Sequence, residues 1–217
     1  MSHEKGHPLY WLVRNVLTVL LRLYVRFESI GGENVPDTGG CILTPNHVSF
    51  LDPPVVGCGL RHRIVHFMAR STLFKAPVMG WWMRKVGTIP VDRTKGDLAA
   101  LRSALKGLKS GKVVCLFPEG TRSPDGELQT AKGGVGFLIA RAGVPVVPAY
   151  IDGTYRAWPR GARWIKPTKV RIIYGPPIQP EAFGLDQPGK PDYEHIVEVV
   201  MNRIDGLRRQ QRNVDHE

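Results

Sequence analysis

The sequence predicts an α/β protein. Short apolar runs of strand length alternate with longer stretches of helical periodicity, aliphatic residues are plentiful, and 24 Gly and 18 Pro punctuate the boundaries. At 217 residues the chain holds one sizeable core, and it carries no internal repeat or low-complexity tract that would argue for dividing it.

The first element, Leu9 to Phe27, is rich in Leu, Val, Tyr and Trp but interrupted by Arg14, Arg22 and Arg26. Wound as a helix, it places Arg14, Thr18, Arg22, Asn15 and Arg26 at roughly 0, 40, 80, 100 and 120°, a single polar stripe with Leu17 and Leu20 on the apolar side. That pattern suits a membrane interface, with Tyr10, Trp11 and Tyr24 as headgroup-level anchors. Packing on the protein's own core is the alternative. The sequence has no apolar run long enough to span a bilayer and no convincing cleavable leader.

Phe27 to Pro36 reads as a strand and turn that lead through Gly39-Gly40 into the apolar strand Cys41-Ile42-Leu43-Thr44. Asp52-Pro53-Pro54 reads as a turn. Arg63 to Ala69 is another strand, and Leu73 to Trp82 carries large apolar residues that are either core or the lining of an acyl groove. From Gly96 to Ser110 the residues Leu98, Leu101, Leu105 and Leu108 recur at helical spacing. Val113 to Leu116 is a strand, Gly133 to Ala142 a helix, and Val144 to Ile151 and Lys169 to Tyr174 are two more strands. Pro176, Pro177 and Pro180 mark irregular chain. The last helix spans Tyr193 to about Arg209, with Ile196, Val200, Ile204 and Leu207 facing the core and the charged tail beyond it fraying.

A formal charge of +11 and a pI near 9.9 suit nucleic acid, anionic lipid or phosphorylated substrates. The sequence lacks zinc-finger spacing, an RNP-like aromatic motif and long Lys/Arg runs, which puts lipid and phosphate ahead of nucleic acid. Cys41, Cys58 and Cys115 are odd in number and embedded in apolar sequence, so they read as core residues of a reducing compartment rather than disulfide or metal ligands. His62 and His66 read as structural or surface residues.

Chemistry concentrates at two strand ends. The first is Asn46-His47-Val48-Ser49-Phe50-Leu51-Asp52-Pro53. An imidazole takes a proton near neutral pH, and a carboxylate on its other nitrogen fixes the tautomer and stabilises the imidazolium; Asp52, five residues on, can loop back to His47 to do this. Ser49 is close by but lacks the G-x-S-x-G elbow of a serine nucleophile. The second is Phe117-Pro118-Glu119-Gly120-Thr121-Arg122-Ser123, again at the end of an apolar strand.

In this order the two stretches resemble the glycerolipid acyltransferases, closest to the 1-acyl-sn-glycerol-3-phosphate acyltransferases. Val86-Gly87-Thr88-Ile89-Pro90-Val91-Asp92-Arg93 resembles a further family block, with Ile89-Pro90 in place of the commoner aromatic version. Val144-Pro145-Val146-Val147-Pro148-Ala149 resembles another. The likeness runs over roughly residues 28 to 175.

The resemblance implies a mixed central sheet flanked by helices, divided as an N-terminal interfacial helix over residues 1–28 and an acyltransferase domain over residues 29–217. It implies an acyl thioester on coenzyme A or acyl carrier protein as co-substrate, with no metal or bound cofactor. The acceptor is a lysophospholipid hydroxyl, and the product of acylating lysophosphatidate is phosphatidate. His47 takes the hydroxyl proton and Asp52 orients it, with direct transfer and no acyl-enzyme. Backbone N–H groups around Glu119, Gly120 and Thr121 are candidates for oxyanion contacts. Arg122 and Arg93 are candidates for the acceptor phosphate, with Lys75 and Lys132 as further cations. Glu119 either binds an acceptor hydroxyl or orients Arg122. The implied location is peripheral or monotopic, on the cytoplasmic face of the cell membrane. The competing readings are a related acyltransferase for another lyso-lipid or glycerol 3-phosphate, and a non-catalytic basic protein that binds membrane surfaces or nucleic acid.

Overall fold

The computed structural model describes residues 8–92, 98–132, 134–185 and 189–214. The helices are α1 (Pro8–Val25), α2 (Asp52–Gly59), α3 (Pro77–Lys85), α4 (Leu98–Lys109), α5 (Gly134–Ala142), α6 (Thr154–Ala157) and α7 (Tyr193–Val214). The strands are β1 (Glu28–Ile30), β2 (Cys41–Pro45), β3 (Val65–Arg70), β4 (Ile89–Val91), β5 (Val113–Cys115), β6 (Val146–Asp152) and β7 (Arg171–Tyr174).

The strands form one sheet in the order β1-β7-β6-β2-β5-β3-β4. From β6 to β4 all neighbours are parallel, whereas β7 joins β6 antiparallel and β1 joins β7 parallel, so the sheet is mixed as expected. Side chains on a strand alternate between its two faces, and the central strands are apolar on both because both faces are covered. Cys41 and Leu43 of β2 enter a core shared with Leu21 and Val25 of α1 and Val55 and Val56 of α2. Ile42 between them enters a second core with Ala104 and Leu108 of α4, Ile139 of α5 and Ile196, Val200 and Ile204 of α7. Burying each such aliphatic side chain stabilises the fold by about 1.5–3 kcal/mol. Gly40 is needed on the approach to β2, where a Cβ would stand 2.1 Å from the Leu108 carbonyl oxygen.

The chain leaves β2 towards β3 on one side and returns to β6 on the other. The C-terminal ends of β2 and β5 therefore lie at a switch in topology, the usual place for a ligand site in such a sheet.

Several elements differ from expectation for identifiable reasons. Asp52-Pro53-Pro54 opens α2 rather than making a turn, because Pro fits the first helical turn, where its missing N–H has no partner to lose. Pro77 opens α3 in the same way. The short β4 and α6 have too few residues to show periodicity. Helix α7 runs on to Val214 instead of fraying near Arg209; Gln211 is buried, and Arg208 and Arg212 pair with Glu127 at 2.6 and 3.3 Å.

Helix α1 buries Leu21 and Val25 and turns only one edge of its polar stripe inward: Arg14 and Thr18 are half-buried, whereas Asn15, Arg22 and Arg26 are exposed. Arg14 Nη2 donates to the carbonyls of Cys58 and Leu60 at the end of α2, where a cation also complements the helix dipole. The opposite face of the helix is apolar and faces out, with Leu12, Val16, Val19, Leu20 and Leu23 exposed and Leu23 at 78%. Leu17 departs from the expected outer face and packs against the first core. Arg26, in the left-handed region at φ 47°, ends the helix.

Candidate active site

The segment after β2 folds around one carboxylate oxygen. Asp52 Oδ2 accepts from the Val48 and Ser49 N–H groups, both at 2.7 Å, and lies 2.8 Å from His47 Nδ1. The five-residue spacing thus closes a tight loop whose backbone donors fix Asp52 before it meets the imidazole. The Asp52 side chain is fully buried and that of His47 is 17% exposed. With Nδ1 donating to Asp52, Nε2 is the basic nitrogen, and it has no protein partner among the described residues.

The second motif forms the bed on which the first lies. Phe117 stacks on the His47 ring with centroids 3.9 Å apart and planes inclined by 19°. Glu119 Oε1 accepts the His47 N–H at 2.8 Å, and the Ser123 N–H donates to the His47 carbonyl at 2.8 Å. Glu119 Oε2 accepts from the backbone and side-chain N–H groups of Gln129 at 3.3 and 3.1 Å. Both Glu119 oxygens are thereby occupied, Oε1 by His47 and Oε2 by Gln129. Asn46 fixes the other side through a two-way bond to the Ile151 backbone, at 2.6 and 3.1 Å.

Arg122 lies over Phe50, its Cζ 3.5 Å from the ring centroid, and its Nη1 is buried without a hydrogen-bond partner. Burial and the neighbouring charge of Arg160 hold its pKa below the ordinary value. A guanidinium stays charged under such conditions, so a half-buried cation with a spare donor stands beside the His47–Asp52 pair, suited to a bidentate anion.

The acyltransferase family model matches residues 26–152, the larger part of the chain and all of this geometry's main elements. The chain belongs to the acyltransferase family. It is similar to the 1-acyl-sn-glycerol-3-phosphate acyltransferase of Bacillus subtilis (strain 168), 29% identical over 200 residues, covering 92% of this chain and 96% of that one. The chloroplastic 1-acyl-sn-glycerol-3-phosphate acyltransferase BAT2 of Brassica napus is 36% identical over 153 residues, covering 68% of this chain and 44% of its own. The chain thus spans nearly all of the bacterial relative and under half of the plant one. The crystal structure of the 1-acyl-sn-glycerophosphate (LPA) acyltransferase PlsC from Thermotoga maritima superposes with a TM-score of 0.73 at 29% identity, covering 91% of this chain and 79% of that one.

In this acyltransferase the remaining predicted residues fall into three groups. Lys132 joins the second motif, its N–H bonded to the Pro118 carbonyl at 3.0 Å and its methylenes close over Gly120, where φ is 67°. Lys75 is exposed after β3 on the same edge of the sheet and takes no part in the bonds that hold the site. Arg93 lies outside the described residues. The Gly120 N–H donates to the Phe117 carbonyl at 3.0 Å, so an oxyanion contact from that group would compete with a turn. Thr121 is exposed, and its carbonyl accepts from Gln129 at 3.4 Å.

Ser49 is fully buried, and its Oγ donates to the Trp158 carbonyl at 2.8 Å, a structural bond that leaves no nucleophile. His66 is likewise structural, 3.0 Å from the Gly87 carbonyl. The three cysteines are free and buried. Among the described residues no group of His, Cys, Asp and Glu converges to hold a metal. A cleft of about 1210 Å3 lies between α1 and the far end of α2 and contains none of the motif residues.

Phe50, Phe117 and Gln129 are the site residues that sequence reasoning missed. The two Phe stand inside the motifs, and their aromatic character beside Arg122 and His47 was an available signal. Gln129 carries none.

Burial raises the Glu119 pKa to about 7, against the lowering effect of the bonds from His47 and Gln129. The folded protein therefore keeps a proton that the unfolded chain releases near the ordinary value of 4.5, and stability falls as pH rises from there to about 7. The loss is on the order of 3 kcal/mol. Denaturant titrations at both ends of that window should show a steeper fall for the wild type than for Glu119→Gln. Equal falls would show that Glu119 does not titrate there.

Proposed function

We propose that this chain transfers an acyl group from acyl-CoA or acyl carrier protein to the free hydroxyl of 1-acyl-sn-glycerol 3-phosphate, giving phosphatidate for phospholipid synthesis. The observation that carries the reading is the His47–Asp52 pair with Nε2 free, set beside the unpartnered guanidinium of Arg122. The names of the relatives support the same acceptor.

His47 Nε2 takes the acceptor's hydroxyl proton as that oxygen attacks the thioester carbonyl. The new C–O bond forms, the tetrahedral oxyanion collapses with cleavage of C–S, and the departing thiolate recovers the proton from His47. Asp52 holds the tautomer and stabilises the transient imidazolium. A thioester already has a good leaving group, so placing the alcohol accounts for much of the acceleration. Arg122 does this by gripping the acceptor phosphate, with Lys132 beside it and Arg93 from the preceding block as further cations. A single assay tests the reaction and the acceptor together: purified protein against lysophosphatidate, other lyso-lipids and glycerol 3-phosphate, with both kinds of donor. Transfer fastest to lysophosphatidate is the expected result; preference for an uncharged acceptor contradicts it.

In this reading residues 29–217 are the catalytic unit and residues 1–28 seat it on the cytoplasmic face of the membrane. No helix among the described residues is long and apolar enough to cross a bilayer, and α1 instead exposes its apolar face. Leu20→Glu with Leu23→Glu puts two charges on that face and should abolish flotation with liposomes while the fold survives. Leu17 is unsuitable for this test because it packs on the core. Unchanged flotation of the double variant would assign the helix a purely structural role.

A further inference from the structure

We infer that the loop from Trp158 to Lys169 is a second membrane-docking element, one that reads anionic lipid headgroups and holds the mouth of the active site at the bilayer surface; the inference rests on the reading of α1 as an interfacial helix. The stretch Trp158-Pro159-Arg160-Gly161-Ala162-Arg163-Trp164-Ile165-Lys166-Pro167-Thr168-Lys169 contains no acidic residue. Arg160, Arg163 and Lys166 are exposed, and no carboxylate among the described residues pairs with them. Trp164, between two of these cations, is 82% exposed. A protein surface in water has little use for so open an indole, whereas the headgroup layer accommodates both its apolar body and its N–H.

The loop is built rather than loose. Trp158 Nε1 donates to the Ala162 carbonyl at 2.9 Å, and the Lys166 N–H closes the loop onto the Ala157 carbonyl at 2.8 Å. Trp158 and Ile165 pack against the first core, so Trp164 projects from a fixed base. One end is tied to the membrane helix: Tyr24 at the end of α1 donates its hydroxyl to the Ile165 carbonyl at 2.7 Å. The other is tied to the catalytic loop, through the Ser49 bond to Trp158 and through Phe50, whose ring lies 5.7 Å from that of Trp158 and carries Arg122 on its other contact. The exposed apolar face of α1, the basic loop and the candidate phosphate-binding Arg122 thus form one continuous path. An anionic bilayer is the occupant that complements both its charge and its apolar border.

The test is flotation of the full chain with vesicles of phosphatidylcholine alone and of phosphatidylcholine mixed with phosphatidylglycerol. Removing two surface cations costs roughly fivefold in binding for each, or about thirtyfold together. Arg163→Ser with Lys166→Ser should lose that factor on the mixed vesicles and little on the neutral ones, and Trp164→Ala should weaken both. High salt should erase the wild type's preference for the mixed vesicles. Wild-type flotation of the Arg163/Lys166 variant on mixed vesicles overturns the proposal, as does an equal loss on both kinds. A variant that floats normally but turns over slowly only with a carrier-protein donor would also overturn it, assigning the cations to that acidic partner. Binding is read here without turnover, so a failure of the acyl-transfer reading would be seen separately in the acceptor assay.

Discussion

Replacing His47 by Ala lowers kcat by roughly 10² to 10⁴, the loss that accompanies removal of a positioned general base. The size of the effect should be chemical rather than structural. The bonds that seat this residue run through its backbone, to Glu119 and from Ser123, and survive loss of the ring. What disappears is Nε2, the Nδ1 bond to Asp52 and the stack on Phe117, while Asp52 keeps its bonds from the Val48 and Ser49 N–H groups. Asp52→Asn should also cost a large factor, possible to separate from misfolding by circular dichroism. An amide nitrogen facing Nδ1 would favour the tautomer that carries its proton on Nε2, where the base is needed. Near-normal turnover by a folded His47→Ala protein would rule out the mechanism.

Arg122→Ala should reduce kcat/KM for lysophosphatidate by more than tenfold. Truncating one partner of a desolvated charge pair costs on the order of 2–5 kcal/mol, because the other charge is left unpaired, and each 1.36 kcal/mol is a factor of ten. Arg122 has the features that make such a cost large: its Nη1 is buried and unpartnered, and its Cζ already lies 3.5 Å from the Phe50 ring centroid. Lys in its place keeps the charge but loses the planar fork, so rescue should be partial. Basal thioester hydrolysis should change little, since the phosphate plays no part in it. Kinetics with varied acceptor at fixed donor distinguish these outcomes, and an unchanged acceptor kcat/KM would remove Arg122 from the site.

The central strands were legible because β2, β5 and β6 are buried on both faces and so read as continuous apolar runs of strand length. The contact between His47 and Asp52 was legible because the spacing is local: four intervening residues suffice to close the loop. The role of Glu119 was not. Its Oε1 accepts from the backbone of a residue 72 positions away, a contact created by the parallel pairing of β2 with β5 and unmarked by any side-chain pattern. Helix α2 was hidden by Pro53-Pro54, which break a helix interior but begin one equally well. The polar stripe of α1 was legible as a stripe, but only its Arg14 edge turns inward, to the carbonyls of Cys58 and Leu60, which the tertiary fold alone brings there.

Direct transfer from thioester to lysophosphatidate by the His47–Asp52 pair can be followed through the release of free thiol. Purified protein is mixed with an acyl thioester, thiol is followed with a chromogenic reagent, and the acceptor is added afterwards. No burst is expected before the acceptor arrives, and then one thiol is released for each phosphatidate formed. A burst equal to the enzyme concentration without acceptor would reveal an acyl-enzyme, and no response to lysophosphatidate would contradict the proposed reaction itself.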